Sequence, residues 1–200
     1  MKEHTIIWNS LEIAKFVVSI VTPVIILFLG IWINKRLKKL EQLQWANQKL
    51  IEKRIHIYDQ LVPILNDILC YFTFIGIWKD IEPKEIVKMK RKVDKIAYVN
   101  SPLFSKEFLI KYNNFIELCY STYSGWGSDA KLRTVFQRRK EANSQWEASW
   151  EDCFADKTEA TEPELIKSAY MEFVKYFSEE IGIGLIKDSI DSGMIPYNIE

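Results

Sequence analysis

The chain offers few of the side chains on which nucleophilic catalysis depends. Its 200 residues include two histidines and three cysteines. A catalytic serine or cysteine needs a base within hydrogen-bonding reach, but His4 precedes an apolar run and His56 falls on the polar flank of a predicted helix. The three cysteines, Cys70, Cys119 and Cys153, are odd in number and widely spaced. This pattern favours reduced buried thiols over a disulfide framework or a zinc site.

The acidic residues do not form a recognisable site either. Asp188 and Asp191 superficially match a calcium-binding loop, but its other ligands and its closing glutamate are missing. The adjacent acidic pairs at 151–152 and 179–180 point in different directions on a helix, so neither makes a two-carboxylate site. We therefore expect no cofactor and no metal ion, and we predict that the protein is not an enzyme.

Charge is divided unevenly along the chain. The net charge is zero, from 27 basic and 27 acidic residues. Residues 35–140 contain 21 basic and 11 acidic side chains, whereas residues 141–200 contain 4 and 14. Such asymmetry indicates one surface that faces an anionic partner, although the zero total argues against a uniformly basic nucleic-acid binder.

An uncharged run of 18 residues extends from Phe16 to Ile33. As a helix it would be roughly 27 Å long, and with the residues from position 11 it would cross the ~30 Å hydrocarbon layer. Membrane helices tolerate proline and glycine, and aromatic residues favour the interface. We predict a membrane-spanning helix over residues 11–33, beginning near Ser10 after an extracytoplasmic tail of residues 1–10. The predicted anchor residues are Phe16, Pro23, Gly30, Trp32 and Ile33.

The charged flank of this run predicts its orientation. A cleaved signal peptide has a shorter apolar region that ends in small residues, and a soluble core helix is rarely apolar around its whole circumference. We therefore favour an uncleaved anchor. The basic residues directly after the run are Lys35, Arg36, Lys38 and Lys39. By the positive-inside rule the C-terminal side is cytoplasmic, which predicts a bacterial inner-membrane protein with its N-terminus outside.

Residues 34–80 predict a stalk, which is a helix that continues beyond the membrane. Its apolar residues recur every three or four positions, with Gln44 and Asn47 at two places in this seam. The seam is typical either of the core-facing stripe of a bundle or of a parallel coiled coil between copies of the chain. Because Pro63 lacks a backbone donor, we expect a kink or a new helix start there.

A second apolar run lies at residues 61–78 within this region. Asn66 and Asp67 stand near its start, and an acidic group inside a membrane is costly unless it faces a partner or a watery cavity. Two interpretations remain open at this point. The run is either a buried core helix or a second membrane segment, in which Asn66 and Asp67 would be intramembrane polar residues.

Residues 81–200 predict a helical bundle. Its first helix begins at Glu82-Pro83 and extends to about residue 98. This helix carries a basic face of Lys84, Lys88, Arg91, Lys92 and Lys95. The face is either an ordinary solvated surface or a contact for anionic lipid headgroups. Together with the basic residues between 131 and 140 it also gives a weakly specific signal for nucleic acid.

Three more helices follow in the predicted bundle. They extend over residues 105–123, 129–154 and 163–180, with a glycine-containing turn at 124–129 before the second of them. No pair of strands joined by a hairpin turn is evident. The predicted fold class is therefore all-α, with an N-terminal transmembrane helix, a long stalk helix and a cytosolic helical bundle.

This layout resembles the small transmembrane effectors of bacterial anti-phage systems, including those associated with retrons. The resemblance rests on Phe16–Ile33, the flank Lys35–Lys39 and the run at 61–78, a minor part of the chain. It implies an effector that a regulatory protein complex holds inactive. Upon infection such an effector would associate through its membrane helices and permeabilise the inner membrane.

A different class of function also fits the same residues. In this alternative the chain is a membrane tether or adaptor, and its cytosolic helical domain recruits a protein or nucleic-acid partner. The two classes share the lipid bilayer as a partner, and self-association is expected for the effector. They differ in whether the membrane potential changes.

Overall fold

The computed structural model describes residues 10–122 and 129–183. The fold is all-α, as predicted. Its α-helices are α1 (Ser10–Thr73), α2 (Pro83–Asn100), α3 (Lys106–Cys119), α4 (Gln137–Ala142) and α5 (Pro163–Glu180). Two strands of two residues each, β1 (Tyr120–Ser121) and β2 (Lys131–Leu132), pair antiparallel. The predicted tail at 1–10, apart from Ser10, and most of the turn at 124–129 lie outside the described residues.

The chain forms two compact units, residues 1–49 and residues 50–200. In the described part of the first unit, the apolar side chains of α1 are exposed on every face. Helix α1 is long and apolar enough to cross a membrane, and its most apolar window is not buried by the protein. A run of exposed leucine, isoleucine, valine and phenylalanine is typical of a lipid-facing helix.

Within the described residues helix α1 extends from Ser10 to Thr73 and is not interrupted at Pro63. Of the two alternatives expected at Pro63, a new helix start is therefore wrong, and a kink stays a prediction. Proline removes one backbone hydrogen bond, but Leu61 and Leu65 on either side of it are fully buried. Burial of two such leucines stabilises the helical path by more than one exposed backbone bond does.

The core of the second unit is built from the end of α1 together with α2, α3 and α5. Residues in the run at 61–78 supply five fully or almost fully buried side chains, namely Leu61, Leu65, Ile68, Tyr71 and Phe72. Helix α5 packs along α3, where Phe108 and Phe177 meet edge to face with ring centroids 5.0 Å apart. The Tyr58 ring of α1 lies 5.1 Å from that of Phe177, so α1 closes the same aromatic cluster.

The boundaries of α2 and α5 agree closely with the sequence, because each has a proline within its first turn. Helix α3 ends at Cys119, four residues earlier than predicted. Tyr120 there adopts an extended backbone and pairs with Leu132. The fully buried Tyr120 side chain donates a hydrogen bond to the Ile86 carbonyl at 3.0 Å, which holds this strand against α2.

The predicted helix over residues 129–154 is wrong. This region contains β2, the short helix α4 and a 3-10 helix, Ala148–Cys153. Leu132 is fully buried beside β1, and the Ala155 amide donates to its carbonyl at 2.9 Å. The sheet and core contacts of Leu132 require an extended backbone, which a continuous helix would not provide. We expect no strand pair joined by a hairpin turn; β1 and β2 do pair, and residues 123–128 between them lie outside the described residues.

Candidate functional site

A basic cleft lies on the second unit, among its described residues. It lies between α2 on one wall and, on the other, the entry to β2 and the 3-10 helix Ala148–Cys153. Its volume is about 570 Å³, within the range of ligand-binding clefts. The side chains that line it are Lys84, Val87, Lys88, Arg91, Asp129, Ala130, Lys131, Ser149, Asp152 and Cys153.

Ion pairs join the two walls at both ends of the cleft. Arg91 of α2 makes a short ion pair with Asp129 at one end. At the other end the Lys84 ammonium donates to Ser149 Oγ at 3.2 Å and lies 3.7 Å from Glu147. These side chains are exposed, so the pairs add little stability. Each pair bridges the two walls at the surface of the cleft.

Two further lysines give the cleft its unpaired positive charge. Within the described part of the chain, Lys88 and Lys131 make no ion pair, and they belong to opposite walls. A carboxylate or phosphate placed between them would accept charge-assisted hydrogen bonds from both. The acidic Asp152 lines the same cleft, so the site does not suit a ligand with many negative charges in a row.

Cys153 lies at the edge of the cleft, but its thiol is a poor nucleophile. Burial raises the pKa of Cys153, and the nearby Lys84 opposes this shift only in part. The thiol therefore stays protonated at neutral pH, whereas the thiolate is the reactive form. The cleft has the chemistry of a binding site more than of a nucleophilic one.

The structure divides the basic face predicted on α2. Lys84, Lys88 and Arg91 line the cleft, whereas Lys92 and Lys95 are exposed on α2 outside it. The sequence did not indicate the opposite wall, because it comes from residues 129–153 of a region predicted to be a single helix. Only the positions of the short sheet and the 3-10 helix bring the two walls together.

The basic run between residues 131 and 140 is also divided. Arg133 donates to the carbonyls of Glu159 and Glu117 at 2.9 and 2.8 Å, and so joins three segments of backbone. Lys140 pairs with Glu151 at 2.9 Å. Arg139 is buried, at 3% exposure. These three cations have structural partners, so the run does not form the continuous positive surface that phosphate backbones require.

The predicted anchor segment has the local geometry of a membrane helix. Ser19 and Thr22 donate their hydroxyl groups to the carbonyls of Phe16 and Val18, each at 2.7 Å. Hydroxyl groups satisfied within their own helix cost little in lipid. Pro23 continues the helix, and a side-chain carbon added at Gly30 would meet no neighbouring atom within 4 Å, so both lie on open helix surface.

The end of the span is marked by an aromatic residue beside a basic one. The Arg36 guanidinium lies over the Trp32 ring at 5.5 Å, and Ile33 between them is exposed. Lys35, Lys38 and Lys39 are exposed on the same helix. Tryptophan and basic residues both favour the headgroup region, so this end of the run has the composition typical of an interfacial flank.

Asn66 and Asp67 lie on the second unit, in a helix whose other face enters the core. Asn66 is exposed and its amide lies 3.7 Å from Cys70 Sγ, and Asp67 is half-buried. Burial raises the pKa of Cys70, and Asp67 adds to this shift. Leu61 and Leu65 of the same run are buried in the core of the second unit, whereas Ile75 and Ile77 near its end are exposed.

The remaining candidates for chemistry are dispersed. His56 hydrogen-bonds to Gln60 at 2.8 Å on the exposed side of α1. Over residues 10–122 and 129–183, no three His, Cys, Asp or Glu side chains are grouped to hold a metal ion. His4 and the acidic pair Asp188 and Asp191 lie outside the described residues.

The chain was compared with family models, curated proteins and solved structures. No family model matches the chain, and no curated protein or solved structure is significantly similar to it.

Proposed function

We propose that the protein is a non-catalytic membrane tether whose folded unit binds an anionic protein partner through the basic cleft. Helix α1 supplies the anchor over residues 11–33. The four basic residues after the span favour an inner-membrane protein with a cytoplasmic C-terminal unit. The observation that carries the proposal is that Lys88 and Lys131 line opposite walls of one cleft and make no ion pair with any described residue.

The proposed partner is an acidic segment of a protein. Two lysines on opposite walls of the cleft suit one or two carboxylates. The carboxylates of Asp129 and Asp152 in the same cleft would repel a continuous polyanion, which disfavours nucleic acid. The folded unit would thus recruit its partner to the membrane surface through a few charge-assisted contacts.

A photo-crosslinking residue at Ser149 in living bacteria tests this proposal. We expect crosslinks to a protein that disappear in the double variant Lys88→Glu and Lys131→Glu, because reversal of both charges repels the acidic segment. The matched control is Lys92→Glu and Lys95→Glu, which makes the same charge change on the exposed side of α2 and should retain the crosslinks. Crosslinks that persist after reversal of Lys88 and Lys131, or that join nucleic acid, would overturn the proposal.

A membrane-permeabilising effector is the second candidate, and the seam of α1 beyond the span supports it. Leu37, Leu40, Ile51 and Ile55 are exposed large apolar residues within a region of charged and polar side chains. They follow the three- and four-residue spacing of a coiled coil. Self-association is the step that such an effector requires, and a second copy of this chain is the proposed occupant of the seam.

The charges beside the seam match a parallel pair of helices. Leu37 and Leu40 are taken as the two core positions of a heptad. Arg36 then directly precedes Leu37, and Glu41 directly follows Leu40, five positions after Arg36. In a parallel coiled coil these flanking positions face each other across the interface. Arg36 of one copy would then meet Glu41 of the other, which favours the parallel arrangement that two anchored copies must adopt.

Membrane potential and growth on controlled expression in bacteria separate the two candidates. The effector predicts rapid depolarisation that is lost in the Leu40→Asp and Ile51→Asp double variant, because charges in the seam prevent association. Gln42→Asp, on the side opposite the seam, is the control and should depolarise fully. Normal potential and growth, with the protein confirmed in the membrane, would contradict the effector and favour the tether.

A further inference from the structure

A small cavity lies where the end of α1 meets α4, outside the basic cleft. Its volume, measured as the space open to the centre of a small probe, is about 10 Å³, so it has room for a single small guest. Tyr71, Lys79, Arg139 and Trp146 are among the residues that line it. Together with Asn143 and the surrounding apolar side chains, they contribute two cationic groups and no carboxylate.

Three buried polar atoms around this cavity have no hydrogen-bond partner among the described residues. They are the Tyr71 hydroxyl, Arg139 Nε and the Trp146 indole nitrogen. Tyr71 is 1% exposed and Arg139 is 3% exposed, so solvent does not satisfy them. Arginine Nε and the indole nitrogen can only donate hydrogen bonds. A guest that satisfies both must therefore be an acceptor.

The charge of Arg139 decides between a neutral and an anionic acceptor. Its other nitrogens donate to Thr134 Oγ1, the Val135 carbonyl and the Tyr71 carbonyl, at 3.2, 2.7 and 2.5 Å. These acceptors are all neutral, and no carboxylate among the described residues lies within 4 Å of this guanidinium. A buried cation without a counter-charge is unfavourable. Burial correspondingly lowers the pKa of Arg139 to about 10.

We propose that this cavity binds one monatomic anion of the size of chloride, held by the N–H groups of Arg139 and Trp146 and the hydroxyl of Tyr71. The anion supplies the missing counter-charge and accepts from all three donors at once. It also joins the last turn of α1 to α4, because Tyr71 and Arg139 belong to those two helices. This site is independent of the partner-binding cleft and of the membrane anchor.

Thermal unfolding of the full chain in detergent tests the site, with sodium chloride compared to sodium gluconate at equal ionic strength. A ligand that binds only the folded state raises the unfolding temperature with concentration. We expect the temperature to rise with chloride and then level off. The Trp146→Phe variant keeps an aromatic ring but removes one donor, so it should need about tenfold more chloride for the same rise.

Trp150→Phe is the matched control, because its ring lies 5.3 Å from that of Trp146 but does not line the cavity. This variant should respond to chloride as the unaltered protein does. Crystals grown with sodium bromide give a second readout, in which the anomalous signal should lie between Arg139 and Trp146. Equal unfolding temperatures in chloride and gluconate, with no bromide signal, would show that the guest is water and would overturn the proposal.

Discussion

Single residues at the end of α1 determine how this helix joins the rest of the second unit. Phe74 has a positive φ of 60°, which ordinary side chains adopt at a cost of roughly 1–2 kcal/mol. The backbone here closes in a helix-ending turn, in which the Ile75 amide donates to the Cys70 carbonyl at 3.0 Å. The Phe74 ring holds the strained residue in place, because Arg138 and Arg139 stack on it at 4.5 and 4.3 Å.

Arg139 is the first residue whose substitution should weaken this junction. Arg139→Lys keeps the charge but cannot donate to the carbonyls of Tyr71 and Val135 together, since its single ammonium lacks the guanidinium fork. We expect a loss of about 2 kcal/mol in the free energy of unfolding, measured by urea denaturation. Arg91→Lys is the control, because that side chain is exposed and takes no part in this junction. Equal losses in both variants would contradict the buried bridge.

Tyr170 should make stability fall at alkaline pH. Burial raises its pKa to about 12, whereas a tyrosine in the unfolded chain ionises near 10. Its contribution is fully present below pH ~10 and is lost as pH rises through ~12, because only the unfolded chain releases the proton in that window. Between these pH values the free energy of unfolding should therefore fall by about 1–2 kcal/mol less in Tyr170→Phe than in the unaltered protein.

Chemical denaturation at pH 9, 10 and 11 measures this difference. Tyr98→Phe, which alters an exposed tyrosine on α2, is the control and should leave the pH dependence unchanged. A Tyr170→Phe variant whose stability falls as steeply as that of the unaltered protein would exclude Tyr170 as the source.

At the scale of elements, helices with a regular apolar stripe and a clear start could be predicted from the sequence. Helix α5 has both, with Ala169, Phe173 and Phe177 on its buried stripe and Pro163 in its first turn. The region 129–154 could not be predicted, because its structure depends on distant partners. Arg133, for example, bonds to the carbonyl of Glu117, 16 residues away. Local periodicity does not contain such contacts.

The flank of the membrane helix should control its orientation. Replacement of Lys35, Arg36, Lys38 and Lys39 by glutamine removes the positive charge that favours the cytoplasmic side. We expect a mixture of orientations, detected with a C-terminal reporter that is active on only one side of the membrane. Lys157→Gln and Lys175→Gln are far from the span and should leave the orientation unchanged. A single orientation in the flank variant would contradict the prediction.

At the scale of the whole molecule, the sequence could predict one apolar span and an all-α fold but not the basic cleft. The cleft requires Lys88 of α2 and Lys131 of β2 to lie on its opposite walls, although they are 43 positions apart in the chain. Charge periodicity on α2 indicated only one wall. The predicted basic face also included Lys92 and Lys95, which lie outside the cleft. A helix pattern does not reveal which part of a face another segment covers.

Removal of residues 1–34 should leave a soluble and folded second unit. The core is formed by residues from Ile57 onward, so the deletion removes none of its buried side chains. We expect the truncated chain to move from the membrane to the soluble fraction and to unfold cooperatively, as followed by near-ultraviolet circular dichroism. An aggregated or unfolded product would show that the second unit needs the anchor.

The shared use of α1 also has a consequence for the order of events during synthesis. Residues 16–33 leave the ribosome about 130 residues before the start of α5 at Pro163. At roughly 5–20 residues per second, this interval is on the order of ten seconds. The aromatic cluster cannot close until α5 supplies Phe173 and Phe177. An apolar segment therefore has time to insert into a membrane before the fold is complete, and the Tyr58 ring lacks its Phe177 contact until α5 is synthesised.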